Sequence, residues 1–255
     1  MLDNGVLLAV KRIKDWGISK HDFERRMNLI AQVKHPLVMP PVAYYCSQQE
    51  KLLAYEYLTN GSLFTLLYGS QSGHCLDWRS RLDVAVKIAD ALAYMHEELG
   101  ESGIAHGNLK SSNILFDKNM DPQISEYGLM VAENQGVISH MKGLKNRSMS
   151  AAIFRADIYA FGVILLELLT GKVVKNDGFD LVKWVNSVIS EEWTAEVFDR
   201  SLISQGASEE RMVNLLQVAL KCINPSPNDR LSMSQVALIT NALRDEDEKS
   251  VSFDS

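Results

Sequence analysis

Cysteine is scarce in this chain: Cys46, Cys75 and Cys222 are odd in number and widely spaced, with no CxxC or CxxH pair. That argues against a disulfide framework and against a zinc site, and fits a reducing compartment. Long apolar runs are also missing. The most apolar stretch, "YAFGVILLELLTG", is interrupted by Glu167 and falls short of the roughly 20 residues that cross a bilayer. The N-terminus shows no basic region followed by an apolar one, so no signal peptide is expected. Positive charge is not in excess. A net charge of -6 supplies no global field to steer a polyanion, which disfavours general binding to nucleic acid or anionic membranes. Internal repeats are absent.

What is there suits a globular protein: 255 residues, 46% hydrophobic and 23% charged, can bury a core as one large domain or as two lobes. The first third reads as strands around one helix. "VLLAVKRI" (6–13) is β-rich; "SKHDFERRMNLIAQV" (19–33) places Phe23, Met27, Ile30 and Val33 at helical spacing behind Ser19, an N-cap candidate. "PVAYYC" and "KLLAYEYL" predict two more strands, and Asn60-Gly61-Ser62 a turn into a short helix. The rest is mainly helical. Trp78, Leu82, Ala85, Ala89, Leu92 and His96 form one stripe. "NILFD" and "PQISEYG" are short β-like runs, and "RADIYAFGVILLELLTGK" is apolar all round, as a central helix ending at Gly171 would be. Two further stripes contain Met212, Leu215, Leu216, Ala219, Cys222 and Ile223, then Met233, Val236, Ala237 and Thr240.

In sequence order, "LLAVKRIK", "LLAYEYLTNGSL", "HGNLKSSNILFD", "SEYGL", "DIYAFGVILLELLTGK" and "NPSPNDRLSM" resemble the landmarks of a protein kinase domain. The wording is most similar to plant leucine-rich-repeat receptor-like kinases, over nearly the whole chain. The resemblance implies an α+β, bilobal protein-kinase-like fold. Residues 1–58 would form an incomplete β-rich N-lobe, 59–244 a larger helical C-lobe, and 245–255 an acidic tail that frays.

In that family a strand Lys meets the nucleotide phosphates and a helix Glu, a loop Asp orients the substrate hydroxyl, and an Asn and an Asp hold magnesium. Lys11 matches the first, but Arg26 stands at the Glu position, and Glu24 lies about 200° around the helix from it. Asn108 replaces the Asp in "HGNLKSSN", with Gly107 where an Arg is common. A carboxamide accepts no proton at neutral pH, and general-base catalysis contributes about 10²- to 10⁴-fold in rate. Lys110 matches the phosphoryl-stabilising Lys, Asn113 one metal ligand, and Glu126 the other, one methylene longer than Asp. His106 matches a framework histidine. Asp157 matches the buried Asp that anchors the loop backbone. Tyr55 falls at the back of the adenine pocket, Glu56 to Leu58 at its hinge, and Ala9 and Leu115 at its roof and floor. Only ten residues precede Lys11 and none forms GxGxxG, so truncation before the glycine-rich loop is expected. No APE-like triplet precedes Asp157 to give Arg230 its usual Glu partner.

These departures leave readings open. One is a catalytically inactive domain that signals by binding proteins such as an active kinase or a receptor, in the cytoplasm or, within a longer receptor, at the cytosolic face of the plasma membrane. Another is a weakly active, ATP-dependent Ser/Thr kinase. Between them lies a cleft in which ATP only sets a conformation. ATP and magnesium would be weak cofactors in each, and the adenine pocket is either open or filled by core side chains. Between Glu133 and Asp157, Lys142, Lys145, Arg147 and Arg155 with Ser139, Ser148 and Ser150 form a solvated loop or a docking or phosphorylation segment. With Arg26 in place of the Glu, Lys11 or Arg26 is expected to turn to Glu126.

Overall fold

Ser19 sets the first helix. Its hydroxyl accepts from the Asp22 amide at 3.1 Å, satisfying a donor the helix start leaves unpaired, and α1 (Lys20–Gln32) follows. The computed structural model describes residues 7–13, 18–68, 76–129, 145–172, 180–191 and 194–253. Before and after α1 run β1 (Leu8–Ile13), β2 (Ala43–Cys46) and β3 (Lys51–Glu56), an antiparallel sheet in the order β1-β3-β2. The register sets Ala9 opposite Tyr55 and Lys11 opposite Leu53. Phe23, Met27 and Ile30 are buried at the spacing expected of one helix face, and Phe23 meets Tyr44 edge to face at 5.6 Å.

Residues 57–62 connect this sheet to α2 (Leu63–Tyr68). The helical part is α3 (Trp78–Leu99), a hairpin of β4 (Ile114–Phe116) and β5 (Pro122–Ile124), α4 (Lys145–Thr170), α5 (Leu181–Ser190), α6 (Arg200–Ser204), α7 (Glu209–Cys222) and α8 (Met233–Phe253). α3 packs along α8, and α4 along α7. Gly162 allows the second approach, since a Cβ there would lie 2.7 Å from Cys222 Cβ. α4 is the central helix the sequence predicts: Phe161, Ile164, Leu165, Leu166, Leu168 and Leu169 are all buried. It stops at Gly171, whose φ of +64° is the left-handed conformation that ends helices. The two parts meet where β5 reaches back: Ile124 donates to Leu37 O at 2.8 Å and accepts from Met39 N at 2.9 Å. This is the α+β, bilobal arrangement the resemblance implies.

Two expectations change. α4 begins at Lys145 rather than near Arg155, so residues 145–157 are helical rather than a loop. "SMSAAIF" contains no helix-breaking Gly or Pro. The acidic end does not fray at 245 either, because α8 continues to Phe253. Its buried stripe, Val236 and Thr240, is extended by Asp247, which is 4% exposed. The Asp247 carboxylate accepts from Trp78 Nε1 at 3.0 Å and from Arg211, so the polar composition hides a buried contact.

Asp247→Ala is expected to cost about 3 kcal/mol, because it strands a largely buried guanidinium and an indole N–H. Thermal unfolding measures this, and an unchanged melting temperature would mean that the last turns of α8 are not docked.

Candidate functional site

The loop after α3 is shaped by one carboxylate. Asp157, 1% exposed in α4, accepts from the His106 amide through Oδ2 and the Gly107 amide through Oδ1, both at 2.7 Å. His96 Nε2 lies 3.1 Å from the same Oδ2, and Phe154 packs edge-on against the His96 ring at 4.8 Å. Gly107 has a φ of +76°, which a glycine takes without strain and the Arg common at this position would not. His106, fully buried, accepts from the Asn108 amide through Nδ1 at 3.2 Å. Burial pushes its pKa down despite nearby Asp157, so it is a neutral framework residue.

Asn108 therefore follows two residues whose amides are anchored by Asp157. Its backbone carbonyl accepts from Asn113 Nδ2 at 2.9 Å. Asn113 lies in the 3-10 turn Ser111–Asn113, and its carbonyl accepts from Ser125 N at 2.9 Å and Ser125 Oγ at 2.8 Å. Asn113 Nδ2 also lies 3.2 Å from Glu126 Oε2. Glu126 has a φ of +63°, a conformation that costs a non-glycine residue about 1–3 kcal/mol and persists where the surroundings fix it.

The same Glu126 oxygen receives the Lys11 ammonium. The expected turn of a cation toward Glu126 is thus made by Lys11. Arg26 instead donates through Nε to the Gly128 carbonyl. Burial lowers its pKa to about 10, which leaves it charged at neutral pH. Lysine and arginine each find an oxygen, on different residues of the 126–128 turn.

Of the remaining sequence candidates, Ala9 pairs with Tyr55 across the sheet. Tyr55 is buried in β3, and burial, then Glu126, raises its pKa. Ala9 is exposed on β1, Glu56 is exposed, and Leu58 and Leu115 are half-buried. Lys110 is exposed, with its carbonyl accepting from the Asn113 amide at 2.9 Å. Ser139 and Lys142 lie outside the described residues, as does Cys75. Arg230 does not wait for a Glu: it donates to the Arg155 carbonyl at 2.9 Å, receives Arg155 on its own carbonyl at 2.6 Å, and stacks on Tyr159 at 4.9 Å. The sequence gives His96 only as a member of the α3 stripe, and the structure adds its contact with Asp157. A histidine among apolar stripe positions was the available signal.

The protein kinase domain family matches residues 2–239. The chain belongs to this family. It is 39% identical to a leucine-rich repeat receptor-like protein kinase of Arabidopsis thaliana and 38% identical to a probable inactive receptor kinase of the same plant, over 96% and 94% of the chain. The chain spans about 40% of the length of these relatives. The pseudokinase domain of BIR2, described as an immune regulator of the RLK/Pelle family, superposes with a TM-score of 0.74 at 30% identity, covering 96% of this chain and 76% of that one. A second pseudokinase shares the fold at a TM-score of 0.69, 24% identity, and coverage of 95% and 82%.

Kinase domains use ATP with magnesium ions. Glu126 Oε2 already holds Lys11 and Asn113, and among the described residues no group of three or more His, Cys, Asp or Glu is placed to hold a metal.

His106 gives a pH test. The fold keeps it neutral, whereas the unfolded chain takes up its proton near the ordinary value of 6.5. Its contribution is therefore complete above that pH and is lost as pH falls below it, by at most about 1.4 kcal/mol per pH unit. His106→Phe is expected to flatten the decline in melting temperature between pH 7 and pH 5. An unaltered decline would assign it to other groups, such as His35, whose pKa is also lowered by burial.

Proposed function

We propose that this chain is a catalytically silent kinase-fold domain of a receptor-like kinase, acting in signal transduction by binding other proteins. The observation that carries this is Asn108, held by an intact Asp157-anchored loop at the position of the base. The loop's geometry is kept while the group that would accept the hydroxyl proton is absent. Lys11 engaging Glu126 supports the same reading, because the phosphate-binding and metal-binding groups neutralise each other. ATP is at most a weak ligand in this reading, and magnesium a weak one. The partners are signalling proteins, such as an active kinase or a receptor. The location is the cytoplasm, or the cytosolic face of the plasma membrane where the domain belongs to a longer receptor. No described helix is long and apolar enough to cross a membrane.

The alternative is a slow Ser/Thr kinase, favoured by the retention of Lys11, Lys110, Asn113 and Glu126. Positioning and charge stabilisation carry much of phosphoryl transfer, so loss of the base alone does not abolish it. A long radiolabelled-ATP phosphotransfer assay with magnesium separates the two readings. The chain is expected to give no more signal than its Lys11→Ala variant. Signal that disappears on Lys11→Ala, and rises about 10²-fold or more in Asn108→Asp, would establish the kinase reading.

A further inference from the structure

Two arginines are locked together where α4 meets the turn Pro227–Asp229, well away from Asn108. Arg155 Nη1 donates to the Arg230 carbonyl at 2.6 Å, and Arg230 Nη1 returns the bond to the Arg155 carbonyl at 2.9 Å. Arg230 Nε donates to the Asn224 carbonyl at 2.8 Å, and its guanidinium stacks on Tyr159 at 4.9 Å. Side chains held this way have little conformational entropy left to lose when a ligand arrives.

Their charge is not met. Among the described residues the partners of the two guanidiniums are three carbonyls and one ring, none of them a carboxylate. Asp157, two residues after Arg155, has its oxygens on the His106 and Gly107 amides and His96, and the exposed Asp229 forms no ion pair with either arginine. Burial lowers the Arg230 pKa, and the Arg155 charge lowers it further, as expected of two cations that repel each other. Each guanidinium carries five N–H donors, and among the described residues one on Arg155 and two on Arg230 are used. The flanking Ala152, Ala156, Pro227 and Asn228 are exposed, so small side chains border the pair. The sequence adds to the imbalance. No Asp or Glu occurs between Glu133 and Asp157, and Lys145 and Arg147 belong to the same helix as Arg155.

We propose that Arg155 and Arg230 form a receptor for a phosphoserine or phosphothreonine side chain on a partner protein. A phosphate monoester brings a charge near −2 and three acceptor oxygens, which match two fixed guanidiniums better than the single charge of a carboxylate does. One phosphoryl group needs only this local pair. An extended polyanion would also meet the negative field of a chain with net charge -6. The inference deepens the reading of this chain as a protein-binding domain, and rests on it, by naming the chemistry of the partner.

NMR of the full chain, read at the Arg155 and Arg230 side-chain Nε–H signals, tests this. The probe is a capped alanine-rich peptide with one central phosphoserine. It is compared with the same peptide bearing serine or glutamate there, with inorganic phosphate, with a single-stranded oligonucleotide and with phosphatidylserine vesicles. The phosphopeptide is expected to shift both signals and to bind at least about tenfold tighter than the serine peptide, a difference of about 1.4 kcal/mol. Arg155→Gln is expected to remove that difference, and Arg155→Lys to keep part of it, because the charge remains without the planar fork. Unmoved arginine signals, glutamate or inorganic phosphate binding as tightly as the phosphopeptide, or tighter binding of the oligonucleotide or the vesicles, overturns the proposal. The comparison among probes uses the unaltered chain, so it survives a variant that fails to fold. Phosphotransfer activity would sink the silent reading without altering this comparison, whereas binding that ignores the phosphate would sink only this proposal.

Discussion

The buried Asp157 carboxylate is the constraint on which the cleft depends. Removed from water, it is tolerable only because two backbone amides and His96 meet it, and those amides belong to the loop that carries Asn108. A buried anion with its donors in place is hard to rearrange, because removing any one donor exposes the full desolvation penalty. The loop is thereby fixed by α4, whatever side chain sits at position 108. The geometry of the loop is set by α4 and α3, through Asp157 and His96.

The opposite wall is fixed by two cations. In an active kinase the helix glutamate ties strand to helix, while the carboxylate at the Glu126 position holds metal. With Arg26 in the helix, Lys11 moves to Glu126 and Arg26 takes the Gly128 carbonyl. Both α1 and β1 are then attached to the 126–128 turn, through different atoms. Lys11 and Arg26 each meet an oxygen of the chain itself, with no ligand between them. Arg230 shows the same economy, exchanging backbone hydrogen bonds with Arg155 and stacking on Tyr159.

Much of the fold was legible because its signals are local. The Ser19 cap, the Phe23, Met27 and Ile30 face, the all-round apolar α4 and the stop at Gly171 each follow from a few neighbouring residues. The errors came where a polar residue is buried by distant partners. Asp247 looked like part of a solvated tail because Trp78 and Arg211 are far away in sequence. Residues 145–157 looked like a loop because basic and hydroxyl residues say little about a helix continuous with a buried one. His96 looked apolar by position, and only the packing of α3 against α4 sets it beside Asp157.

By itself the sequence determined which atoms are available: a carboxamide at 108, a guanidinium at 26, a single carboxylate at 126, and helices and strands whose period and caps are local properties. It also determined the family, through ordered motifs. Only the tertiary structure decided the pairings, that Lys11 rather than Arg26 takes Glu126, that Arg26 takes a carbonyl, and that Asp247 is buried. Each is a competition for one oxygen among groups far apart in the chain, settled by distance and desolvation, which no local pattern of residues encodes.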